Sequence, residues 1–356
     1  MQPPPFRVLC LAGGGFKGLY TAQILHRLEE ALGEPVGRHF DMICGTSIGS
    51  ILALAVSLET PMSDVVELFI CRGPTVFVEQ GHYPSVVRYF RPYPIDNLSK
   101  LLVEAIPGNP FLRDVPHDVL IPAVNMSLGK PVVFRSRRLQ GKARLQVGAI
   151  DAALASSSLP GLFPLYPLHG HFYADGGFFA TTPELVALEE LDQRGVNTTH
   201  RVRMLSIGAT TSPYRPPSGM LSEGGLAGFL ADSAARNVLL TAQEQFTETS
   251  SRARLGENYL RVNTSLSAAD DEVVGPTKTD RAAIRKLLEL AERTWSENSV
   301  RDDVLQFLSK TQVPSQELHE QPIVVPPDLA TATEKAPLEP VAPLKGASES
   351  EASSLV

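Results

Sequence analysis

The chain has 356 residues, 43% of them hydrophobic, which is enough to bury a sizeable core and excludes a fibrous or wholly disordered chain. Its net charge of -7 excludes a broad basic footprint for duplex nucleic acid, so no binding of nucleic-acid polymers is expected. Three cysteines (Cys10, Cys44, Cys71) with no C-x-x-C pair, and no H-E-x-x-H, exclude a disulfide framework and point to no metal site.

No basic n-region precedes the short apolar run 8–12, and no window of about 18 apolar residues follows it, so neither a signal peptide nor a membrane span is expected. The expected location is the cytoplasm, with peripheral contact at the inner face of the membrane. Residues 1–310 read as one α/β catalytic domain with a central, mainly parallel sheet. Strand signals fall at 6–12, 40–44, 119–126, 131–135, 171–174, 203–207 and 259–262. Helix signals fall at 19–31, 48–57, 150–157, 183–193, 226–254 and 281–297. Residues 311–356 turn to Pro, Ala, Ser and Glu without periodicity and are expected to form a disordered tail.

Directly after the first strand comes Gly13-Gly14-Gly15-Phe16-Lys17-Gly18, where consecutive glycines let amides converge on an anion. The spacing fits neither a Walker loop nor a dinucleotide fingerprint. Between the next strand and helix stands Gly45-Thr46-Ser47-Ile48-Gly49, a G-x-S-x-G in the strand-turn-helix context of a nucleophile elbow. Alone it could be a capped turn. Paired with the glycine run it favours Ser47 as nucleophile and an oxyanion hole, in which one donor is worth about 2.7–4 kcal/mol.

The base is less obvious, because His169, His171, His200 and His319 fall in loops, turns or the tail. Asp175, in Tyr173-Ala174-Asp175-Gly176-Gly177, ends a strand signal ahead of two glycines, and burial beside a serine would raise its pKa enough for a Ser-Asp dyad.

In this order the three motifs resemble those of the patatin-like phospholipase family, over most of residues 6–300. Asn125-Met126-Ser127-Leu128-Gly129-Lys130-Pro131 resembles that family's hairpin, and Ala155-Ser156-Ser157-Ser158-Leu159-Pro160 the helix end before its Asp-Gly-Gly. The resemblance implies a three-layer fold, a Ser47–Asp175 dyad and an oxyanion hole from Gly14, Gly15 and Phe16. It further implies support from Gly13, Lys17, Gly18, Gly45, Gly49, Gly176 and Gly177, and hydrolysis of acyl esters of membrane phospholipids without metal or cofactor. Ala12 replaces the family's frequent Asp, Lys17 its Arg, and Thr181-Thr182-Pro183 its Asn-Asn-Pro.

Within the family, residues 15–22 and the compact length are similar to phospholipase effectors of bacterial anti-phage systems, implying a cyclic dinucleotide activator such as cyclic GMP-AMP and degradation of the cell membrane. A homodimer or higher oligomer is a further expectation. Two other readings stay open: a constitutive esterase or thioesterase of lipid metabolism, and a non-catalytic nucleotide-sensing module.

Two surfaces complete the expectations. Lys130, Arg135, Arg137, Arg138, Lys142 and Arg144 form a basic stretch between Asp118 and Asp151 that suits lipid headgroups, activator phosphates or solvent alone. The helix signal at 226–254 suits core packing, or a dimer face or activator-responsive element in which Arg236, Asn237 and Gln243 read a ligand.

Overall fold

A computed structural model describes residues 5–78, 93–137, 146–196, 202–212, 233–297 and 300–309, with backbone only over 233–238. Arg138, His200, His319, Arg236, Asn237 and the expected tail lie outside the residues or side chains described.

In chain order the elements are β1 Phe6–Leu11, α1 Gly18–Leu32, β2 Met42–Gly45, α2 Ile48–Ser57, α3 Met62–Val76, α4 Ile95–Ala105, β3 Asp118–Asn125, β4 Lys130–Arg135 and α5 Ala149–Ser157. Then follow β5 Tyr166–Leu168, β6 His171–Asp175, α6 Gly177–Ala180, α7 Glu184–Gln193, β7 Val202–Ile207, α8 Ser233–Leu255, β8 Tyr259–Val262, α9 Ala268–Val273, α10 Arg281–Ser296 and α11 Val300–Leu308. The sheet runs β5-β6-β3-β2-β1-β7-β8, with β4 on β3. Pairs from β3 through β8 across the centre are parallel, and those of β3 with β4 and β6 are antiparallel.

Every residue of β1 is buried, as a central strand covered on both faces requires. Its side chains alternate between two cores. Leu9 and Leu11 join Ile43, Ile121 and Leu205 against α1–α5, α10 and α11. Phe6, Val8 and Cys10 join Met42 and Met204 against α7 and Leu255 at the end of α8. The result is the three-layer architecture that the resemblance implied.

One strand organises the centre. β2 pairs with Asp118–Leu120 at the start of β3, β6 pairs with Ala123–Asn125 at its end, and β4 occupies the opposite edge over both stretches. β2 and β6 therefore share one edge of β3 and point their C-terminal ends at each other. Pro122 sits at the fork between them. A proline has no N–H to leave unsatisfied there, which is why a residue usually barred from central strands is tolerated.

Candidate active site

Ser47 lies at the tip of the turn from β2 into α2, with φ 54° and ψ -127°. Residues other than glycine rarely hold such a conformation, and it persists only where the surroundings enforce it. Here they do. A Cβ on Gly45 would lie 2.1 Å from the Gly49 carbonyl oxygen, and one on Gly49 would lie 2.2 Å from that of Leu11, so both glycines are required by close approach. The Thr46 hydroxyl donates to the Ala180 carbonyl at 2.6 Å, and the Thr46 amide donates to the Leu11 carbonyl. Gly18 seats α1 against the elbow, where a Cβ would meet Ile48.

From the other prong of the fork, Asp175 brings a carboxylate that is 3% exposed, with the Gly177 amide donating to it at 2.6 Å and the Ser47 hydroxyl as a second donor in its field. Burial pushes its pKa up to about 6, against the pull of those two donors. At neutral pH it is thus ionised and a stronger base than an ordinary aspartate. Gly176 packs on the Pro122 carbonyl, which leaves no room for a Cβ. Among the described residues no histidine lines the cavity; His169 bonds the Gln146 carbonyl instead.

The glycine loop faces this pair. Its Gly13 amide donates to the Thr181 carbonyl at 2.8 Å, and the Lys17 ammonium bonds the Thr210 carbonyl at 3.1 Å. Burial pulls the Lys17 pKa down, and Glu244 and Asp271 push it back. Phe16 departs from expectation as an oxyanion donor. Its amide donates to the Pro276 carbonyl at 2.8 Å, and its buried ring packs on Phe69. Gly15, at φ 59°, presses on that same carbonyl, where a Cβ would fall 2.4 Å away. The amides of Gly14 and Gly15 have no backbone partner among the described residues.

Gly14, Gly15, Ser47 and Asp175 line one cavity of about 600 Å³. Its lining includes the apolar Ile51, Phe69, Val76, Phe77, Leu101 and Phe163 and the polar Lys17, Thr211, Glu244, Asp271 and Lys278. The size suits a small-molecule site, and the two chemistries suit a ligand with a long apolar chain and a polar head. Among the described residues no cluster of His, Cys, Asp or Glu is arranged for a metal, and no helix is long and apolar enough to cross a membrane.

Of the basic stretch, Arg138, Lys142 and Arg144 lie outside the described residues, and two of the described members have partners within the chain. Arg135 pairs at 2.6 Å with Glu190, whose side chain is 1% exposed, and Arg137 donates to the Pro116 carbonyl. Arg135 therefore anchors β4 to α7. Gln243 also has a partner within the chain, the amide of Thr181 at 2.7 Å. Sequence reasoning missed Ser156, on α5. Its hydroxyl donates to the Pro122 carbonyl at 2.6 Å and accepts from the Ser47 amide at 3.0 Å, bridging the fork to the elbow. Only the proline inside a strand signal hinted at it.

The profile of the patatin-like phospholipase family matches residues 9–188. The chain is 32% identical to a cGAMP-activated phospholipase from Pseudomonas aeruginosa, over 82% of this chain and 87% of that one. It is 28% identical to a cGAMP-activated phospholipase from Vibrio cholerae, over 81% and 88%. With a cUMP-AMP-activated phospholipase from Escherichia coli it shares 27% identity, over 60% and 68%.

Proposed function

Because the chain belongs to the patatin-like phospholipase family and is an ester hydrolase of that kind, we propose that it cleaves fatty acyl esters of membrane phospholipids through a Ser47–Asp175 dyad. The observation that carries this reading is that Ser47, on a strained elbow, and the buried carboxylate of Asp175 line the same cavity together with the glycine loop. Asp175 takes the hydroxyl proton as Ser47 Oγ attacks the ester carbonyl, and the amides of Gly14 and Gly15 receive the oxyanion. Collapse expels the lyso-lipid alcohol with the proton that Asp175 holds, leaving an acyl-serine. A water activated by Asp175 then releases the fatty acid and restores the serine. The apolar lining residues accommodate the acyl chain, and the headgroup is held by polar ones such as Lys17 and Lys278. No step draws on a metal or cofactor.

A cyclic dinucleotide switches the enzyme on, and it then degrades membrane from the bilayer surface as antiviral defence. What supports this is the similarity to three relatives, two named for cGAMP and one for cUMP-AMP activation, over most of each chain. The test is fatty-acid release from phospholipid vesicles by the purified protein, with and without cyclic GMP-AMP and cyclic UMP-AMP. Release that requires one nucleotide and disappears in Ser47→Ala is the expected result. Release that ignores every nucleotide removes the switch, and release by Ser47→Ala removes the dyad.

A further inference from the structure

The segment 177–181 touches every working part of the site. The Gly177 amide holds Asp175, the Ala180 carbonyl holds Thr46 of the elbow, and the Thr181 carbonyl holds Gly13 of the glycine loop. Such a segment must itself be held, and α6 is only one turn long. At its end the Thr181 hydroxyl donates to the Gly177 carbonyl at 3.0 Å, the acceptor that the Thr181 amide would take if the helix continued. The amide turns outward instead and donates to the side-chain oxygen of Gln243 at 2.7 Å. Gln243 stands behind the cavity wall, which Thr181 forms at this point.

We infer that Gln243 is a positioning residue for the oxyanion loop, acting through Thr181. The relay is Gln243 Oε1 to Thr181 N–H, then Thr181 C=O to Gly13 N–H, one residue before the amides that receive the oxyanion. The inference rests on the dyad reading above. It makes α8 part of the catalytic apparatus, although none of the three sequence motifs lies on it. The helix itself is fixed independently, because Glu244 and Glu248 pair with the buried Arg261. Loss of the Gln243 oxygen therefore loosens Thr181 and leaves α8 in place. A misplacement of about 1 Å in such a constellation costs on the order of a hundredfold in rate.

The test compares Gln243→Met, which keeps the shape and lacks the acceptor, with Gln243→Glu, which keeps an acceptor oxygen at the same reach. Both are assayed under whatever activator the wild type requires, well above the Asp175 pKa. In Gln243→Met we expect kcat to fall about ten- to a hundredfold with KM unchanged, and the rate of labelling by a fluorophosphonate to fall in parallel. Gln243→Glu recovers both to within a few-fold. Wild-type kcat in Gln243→Met, or a loss that Gln243→Glu shares in full at unchanged thermal stability, overturns the inference while leaving the dyad intact. Failure of wild-type Ser47 to react with the fluorophosphonate at all overturns both. Should Gln243→Met not fold, Gln243→Asn, which withdraws the oxygen by one methylene, serves the same comparison.

Discussion

The amide of Ser47 donates to the hydroxyl of Ser156 at 3.0 Å, and that hydroxyl in turn donates to the Pro122 carbonyl, so a side chain outside the three motifs fixes where Ser47 stands. Replacing it by alanine orphans two buried backbone groups at once. Ser156→Ala is expected to lower stability by about 1–3 kcal/mol and to slow fluorophosphonate labelling of Ser47 at least tenfold. Urea titration and labelling kinetics check the two effects separately, and unchanged labelling would show that the elbow holds without the bridge.

The raised pKa of Asp175 sets a pH dependence with a definite sign. As a base it must be ionised, so kcat/KM falls as the pH drops through about 6. For stability the sign is opposite. The folded chain holds this proton more tightly than the unfolded chain, whose carboxyl keeps its ordinary value of 3.8, so stability falls as pH rises from 3.8 toward about 6. Asp175→Asn is expected to abolish turnover and to gain about 3 kcal/mol near pH 8. The gain fades below pH 4, and denaturant titrations at the two pH values measure it.

Strain at Ser47 separates two inactive variants. Ser47→Ala keeps φ 54° with a Cβ, whereas Ser47→Gly removes the Cβ and with it a strain of about 1–3 kcal/mol. Glycine's greater freedom in the unfolded chain offsets about 0.5–1 kcal/mol of that. Ser47→Gly is expected to melt above Ser47→Ala, and equal melting temperatures would place no strain at the elbow.

Charge removal between β4 and α7 tests Arg135 as that anchor. Arg194 links buried Asp118 and Glu190, and Arg135 adds a second cation on Glu190. Arg194→Met leaves Glu190 with Arg135 but strands the buried carboxylate of Asp118, and is expected to cost about 3–5 kcal/mol. Arg135→Ala leaves Glu190 paired and costs about 1–2 kcal/mol. Its affinity for anionic vesicles, measured by co-sedimentation, stays at the wild-type value; a clear loss would return Arg135 to the membrane surface.

Much of this was legible in residues 1–57 and 118–207. There apolar strands of a parallel sheet alternate with helices, and the glycine-rich turns between them carry the chemistry. Ser47 and Asp175 were readable because their motifs sit at strand ends. α3 and α4 were not assigned. α3 contains Pro74 near its end, and burial among Phe16, Phe69 and Leu101 stabilises these helices more than their own periodicity does. The Phe16 amide misled because only tertiary structure delivers to it the Pro276 carbonyl, 260 positions further along the chain. Tertiary structure likewise brings Gln243, for which core packing and ligand reading were both open, to the amide of Thr181 just beyond α6.

The fork on β3 has a consequence for how the enzyme can fail. Cys44, three residues before the nucleophile, is opposite Leu120, and Asp175 is opposite Ala123, so both partners are measured off one strand. A slip of β6 by a single residue would carry the carboxylate about 3.3 Å along and turn it to the other face of the sheet. No half-assembled dyad exists between those registers. Turnover is thus a proofreading signal for the sheet: every molecule that hydrolyses an ester has its β2, β3 and β6 in correct alignment, and a misregistered chain is silent rather than slow.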